Sequence, residues 1–129
     1  MRVSRKRDPL NHEYTLHGKV LEVVESVKHL GVTITSDLRW TQHISNIGTK
    51  GNQTLGLLSR NLRINSLELK SIAYKGLVRP NVEYASTVWD PYTKQNKDRV
   101  EMVQRRAARY VLNCYERTAS VTEMLKQLD

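Results

Sequence analysis

Arg99, Arg105, Arg106 and Arg109 fall on one side of a helical wheel begun at Lys97, while Val100, Val103, Ala107, Tyr110, Val111 and Cys114 share the opposite stripe. A guanidinium stays charged and can hold two oxygens of one phosphate, so these residue types at this spacing point to anion binding. Arg60 and Arg63 add charge to the face of an earlier helical segment. For each arginine the alternative is an ordinary solvated helix face.

Other chemistries find little support. Two-metal nucleotidyl transfer needs carboxylates gathered at one point, yet Asp8, Asp37, Asp90, Asp98 and Asp129 are scattered and none forms an Asp-Asp pair. No metal centre or cofactor is assigned to this chain. His12, His17, His29 and His43 lack the short spacings of zinc sites and read as surface or partly buried side chains. Cys114, the one cysteine, rules out an internal disulfide and reads as a small core residue. Gly48, Gly51 and Gly56 fit no phosphate-cradling loop. Trp40 and Trp89 sit beside apolar periods and turn signals, and read as core anchors rather than base-stacking platforms.

These side chains need elements to position them. A chain of 129 residues suffices for one ordinary domain, and a second independent domain is not expected. A net charge of +8 favours nucleic acid or an anionic surface as partner, the excess running from Arg2, Arg5, Lys6 and Arg7 to Arg117. No apolar run follows the basic start and none reaches the ~20 residues of a membrane helix. The expectation is therefore an intracellular protein without a membrane partner, nucleus or cytoplasm left open.

Before Ser36, the stretches Tyr14 to Leu16, Lys19 to Val24 and Val27 to Ile34 are rich in Val, Thr and Leu and broken at His17-Gly18 and Glu25-Ser26. They predict short antiparallel strands or hairpins that need a packing partner. Beyond Ser36 the period becomes helical. Ile44, Ile47, Gly51, Leu55, Leu58 and Leu62 step by three and four over about five turns. Asn65 and Glu68 have capping-box spacing, predicting a helix from Ser66 through Leu69, Ile72, Ala73 and Leu77. Pro80 redirects the path at Arg79, and Tyr84, Ala85, Val88 and Trp89 read as packing residues up to Asp90-Pro91. Asn96 or Asp98 would cap the arginine helix, and Glu116-Arg117-Thr118 leads to a last helix from about Ser120. The fold class is α+β, mostly α: N-terminal strands followed by a bundle of four to five helices.

Four blocks, SVKHLGVTITSDLRWTQHISNI, TLGLLSRNL, AYKGLVRPNVEYASTVWDPYT and VEMVQRRAARYVL, stand in this order from Ser26 to Leu112. Together they resemble the C-terminal part of the reverse transcriptases of non-LTR retrotransposons, of the jockey and CR1 type. In that family the catalytic aspartates and their Mg2+ lie upstream, in fingers and palm. The resemblance implies that residues 1–35 correspond to the closing strands of the palm and residues 36–129 to the thumb and the segment following it. Lys28-His29-Leu30-Gly31-Val32 resembles the hairpin that grips the primer strand, Tyr being more usual where His29 stands.

The implied role is sequence-independent binding of a primer–template duplex. Its candidate residues are Lys28, His29, Leu30 and Gly31 from the resemblance, and Arg60, Arg63, Arg105, Arg106 and Arg109 from helix-face geometry. Expected partners are nucleic acid and a fingers and palm segment; this chain alone is not expected to polymerise. The alternatives are a non-catalytic protein-interaction module and a decayed reading frame with no selected function.

Overall fold

The Val- and Thr-rich segments before Ser36 fold as two hairpins. A computed structural model describes residues 1–7, 11–115 and 120–128, the side chains of Leu125, Gln127 and Leu128 excepted. Asp8, Asp129 and the Glu116-Arg117-Thr118 lead-in lie outside the described residues. Contacts group the chain into two units, Met1–His43 and Ile44–Asp129, and the division falls in the first turn of a helix.

In the first unit β1 (Thr15–Leu16) pairs antiparallel with β2 (Lys19–Val20), and β3 (Ser26–His29) with β4 (Val32–Thr35). The stretch from Val27 to Ile34 is thus a hairpin of two strands. Leu16 pairs with Lys19 and His29 with Val32, so each hairpin turns on two residues. His17 and Gly18 have φ of 48° and 74°, Leu30 and Gly31 of 47° and 84°. Two consecutive left-handed residues make the turn that matches strand twist, a role Asn-Gly usually fills. β1, β2 and β3 are exposed throughout, while β4 carries the buried Val32.

α1 (Thr41–Asn61) buries the expected seam, with Ile44, Leu55 and Leu58 at 7% exposure or less. Gly51 belongs to that seam because a Cβ there would meet Val103 Cγ1 at 3.0 Å and Val82 Cγ2 at 3.1 Å. The second helical run begins at Ser66, whose hydroxyl accepts from the Leu69 N–H; Ser66 therefore caps in place of Asn65. The run is α2 (Leu67–Ala73), a π-helical turn (Tyr74–Val78) and α3 (Arg79–Glu83). Pro80 offers no N–H and its ring crowds the carbonyl four residues back. The chain answers by widening the preceding turn, the Arg79 N–H donating to Tyr74 O five residues earlier.

Within this run the buried face is Lys70, Tyr74, Val78 and Val82, while Leu69, Ile72 and Leu77 are 48–61% exposed. The apolar period predicts the other face. Tyr74 and Val78 win because they belong to the core cluster that holds Val103, Ala107 and Tyr110. Tyr84 and Val88, expected to pack, are also exposed.

Ala85, at φ 53°, turns the chain into α4 (Ser86–Trp89). Trp89 is 3% exposed and donates its Nε1–H to Tyr84 O at 2.7 Å; Trp40 is half-buried. α5 (Lys94–Leu112) is capped by Thr93, whose hydroxyl accepts from the Asn96 N–H at 3.4 Å, so neither Asn96 nor Asp98 takes that role. Asn96 is instead buried. α5 packs Val103, Ala107, Tyr110 and Val111 into the core with Cys114 at its margin, and Asn113 ends the helix at φ 52°. α6 (Val121–Leu128) follows and contributes Met124. The chain is α+β and mostly α: two strand pairs, then five helical runs among the described residues. No helix among these residues is long and apolar enough to cross a membrane.

Candidate nucleic-acid interface

In the first unit, Lys28 and His29 end an exposed strand and Leu30 and Gly31 form the turn beyond it. Leu30 is 78% exposed with φ 47°. A leucine in the left-handed region carries backbone strain. Across the hairpin the Thr33 N–H donates to His43 Nδ1 at 3.2 Å, which ties β4 to the first turn of α1. His43 is 2% exposed, and burial lowers its pKa below the ordinary 6.5. This is a deeper position than the sequence reading gave it. Asp37 closes the turn after β4, with its carboxyl held below the usual carboxylate range first by the Thr35 hydroxyl at 2.6 Å and then by the Arg39 N–H.

In the second unit the arginines of α5 divide. Arg105 and Arg106 are exposed, whereas Arg99 and Arg109 are half-buried on the flanks of the packed stripe, so the four do not form one solvated face. Arg105 pairs with Glu101 at 2.8 Å. Arg106 crosses to α1 and donates to Asn52 Oδ1 at 2.9 Å. Arg109 Nε is buried with no hydrogen-bond partner among the described residues. Arg60, in the last turn of α1, and Arg63, just beyond it, are exposed. Eight residues of helix place Arg60 about 12 Å along the axis from Asn52.

The two sides of α5 differ in sign. On one side Glu83, Asp90, Lys97 and Glu101 line a cavity of about 320 Å3 over Val82 and Trp89. Three carboxylates against one ammonium make that cavity unsuited to phosphate. On the other side Arg99 and Met102 of α5 meet Ser45, Gly48, Thr49 and Asn52 of α1 around a cavity of about 170 Å3 with no carboxylate in its lining. The sequence reading does not single out Ser45, Thr49 or Asn52 as binding residues. Their signal is nevertheless present: Ser45 and Asn52 each follow a seam position by one residue, and Thr49 stands four residues after the one and three before the other, so they form a polar stripe beside the apolar one.

The end of α1 is organised by Tyr110, whose hydroxyl lies 3.3 Å from both Leu58 O and Leu62 O. Burial raises its pKa above the ordinary 10.0. The Lys70 ammonium lies 5.1 Å from the centre of its ring, which explains how a lysine remains 93% buried at the core edge. Among the described residues no three of His, Cys, Asp and Glu gather where a metal ion could be held.

In sequence the chain is 27% identical over 109 residues to a protein named as a probable RNA-directed DNA polymerase from transposon BS of Drosophila melanogaster, a match covering 82% of this chain and 12% of that protein. It is 27% identical over 93 residues to the corresponding protein of transposon X-element from the same organism, covering 69% of this chain and 10% of that one. A 115 kDa protein of a type-1 retrotransposable element, again from Drosophila melanogaster, is 29% identical over 75 residues, covering 56% and 7%. The chain spans about a tenth of the length of these curated relatives. Neither a family profile nor a solved structure matches it. Over most of its length the chain is thus similar to proteins of retrotransposons, two of them named as probable RNA-directed DNA polymerases.

Proposed function

We propose that the chain contributes sequence-independent binding of a primer–template duplex to a retrotransposon reverse transcriptase, and that it supplies no catalytic carboxylate itself. In this reading residues 1–35 act as palm-end strands and residues 36–129 as thumb and following segment. Fingers, palm and any Mg2+ belong to another segment. The observation that carries it is the charge balance of the arginines in the helical unit. Of Arg60, Arg63, Arg99, Arg105, Arg106 and Arg109, only Arg105 pairs with a carboxylate among the described residues. Cations left without internal counter-charges are the means by which a protein displaces counterions from a phosphate backbone. The names of two relatives, RNA-directed DNA polymerases, support the duplex as the source of that phosphate.

The hairpin tip has the form of a sequence-blind contact. Lys28 offers charge to a phosphate, and Leu30 offers an apolar tip that reads no base edge. Anisotropy titrations on two duplexes of unrelated sequence test this. Equal affinities are expected, with Lys28→Ala weakening both by the same factor. A preference of tenfold or more for one sequence contradicts the proposal. Added primer, template, nucleotides and magnesium should give no extension with this chain alone.

The exposed row Leu69, Ile72 and Leu77 favours a second reading, a protein-interaction module. That reading expects self-association in sedimentation and no duplex binding at low salt.

A further inference from the structure

Arg99 and Arg106 stand seven residues apart on α5, which places them on one side of the helix about 10 Å apart along its axis. That side faces α1, since Arg106 reaches Asn52 Oδ1 and Arg99 lines the cavity shared with Ser45, Gly48, Thr49, Asn52 and Met102. Arg99 is half-buried, and among the described residues its guanidinium has neither a hydrogen bond nor an ion pair. The hydroxyls of Ser45 and Thr49 are likewise uncommitted. Asn52 has given its carboxamide oxygen to Arg106, so what it has left to offer is N–H donors. The lining therefore presents one cation and several donors with no carboxylate among them. A guanidinium partly withdrawn from water without a counter-charge is a costly arrangement that an oxyanion relieves.

Gly48 gives the notch its width. A Cβ at this position would meet no heavy atom within 4 Å, so helix packing does not demand the glycine. A glycine in mid-helix costs about 0.5–1 kcal/mol relative to alanine, and here it leaves space beside Arg99. At Gly51, one turn on, the two valines already explain the missing side chain.

We propose that the notch between α1 and α5 is a phosphate-binding site, with the Arg99 guanidinium as its cation, Ser45, Thr49 and Asn52 as donors, and a nucleic-acid backbone phosphodiester as its occupant. The choice of a phosphodiester rests on the duplex-binding reading; the phosphate site does not. Arg99 takes two phosphate oxygens in fork geometry, and the hydroxyls on α1 take the remaining oxygen. Arg106 braces Asn52 at the rim.

The test has two arms on the full chain. In the first, inorganic phosphate is titrated and followed by amide and guanidinium NMR signals. Saturable shifts at Ser45, Gly48, Thr49 and Arg99 Nε are expected. Arg99→Gln and Gly48→Leu should each weaken phosphate binding at least tenfold. Gly48→Leu keeps every donor, improves helix propensity and fills the space, so it separates loss of the site from loss of the fold. Absence of localised shifts, or unchanged affinity in both variants, overturns the site. In the second arm, duplex binding is measured against salt, and Arg99→Gln should reduce the slope of log affinity on log salt by about 1 unit. If phosphate binds the notch but that slope is unchanged, a nucleic-acid occupant is overturned. If the unaltered chain binds no duplex at all, the duplex reading falls while the first arm still decides the site.

Discussion

His43 shows how one side chain can hold an element boundary together. Its Nδ1 accepts the Thr33 N–H only while the ring is neutral, and burial favours that neutral form. The native value lies below the ordinary 6.5, so the unfolded chain takes up this proton first as pH falls. The stabilisation is complete above pH 6.5 and is lost as pH falls through the lowered native value. Melting temperature should decline as pH falls from 6.5 towards the lowered native value, and His43→Asn, which keeps an acceptor but does not titrate, should flatten that decline. The Asp37 contribution is present above 3.8 and is lost only below it, so it stays outside this window. Trp89 presents a packing case: 3% exposed and donating to Tyr84 O, it should cost about 3–5 kcal/mol when replaced by Ala in denaturant titrations. A cost near zero would mean that the ring anchors nothing.

Among the elements, α1 separates two kinds of glycine. Alanine at Gly51 drives a Cβ to 3.0–3.1 Å from Val103 and Val82, both buried and both stiff at χ1. Overpacking of this kind costs about 1–3 kcal/mol and outweighs the helix-propensity gain. Gly48→Ala, with open space around the new Cβ, should instead stabilise by about 0.5–1 kcal/mol. Thermal melts of the pair should move in opposite directions.

The α1 seam, the α5 stripe and the Pro80 redirection are legible in the sequence because large apolar residues recur there at helical spacing. The face of α2 is not. Leu69, Ile72 and Leu77 match the period as well as Lys70, Tyr74 and Val78 do, and the choice depends on the Tyr110 ring that covers Lys70 and on the π turn that shifts the phase. The hairpin at Leu30-Gly31 is hidden for a different reason, since a leucine at φ 47° is the residue a turn rule would not choose. The notch at Arg99 is hidden because no single helix contains it.

On the scale of the whole molecule, a net charge of +8 makes attraction to polyanions unavoidable, so binding alone distinguishes little. The informative quantity is how many counterions particular residues release. Exposed Arg105 is already engaged by Glu101 and Arg109 is half-buried, so their joint removal probes whether the helix truly contacts phosphate. The most direct measurement of duplex binding is the affinity of the full chain for a primer–template duplex as a function of salt, for the unaltered chain and for Arg105→Ala combined with Arg109→Ala. The expected result is a linear fall of log affinity with log salt, its slope reduced by about 1 to 2 units in the double variant. An affinity indifferent to salt, or no binding at low salt, would contradict the account.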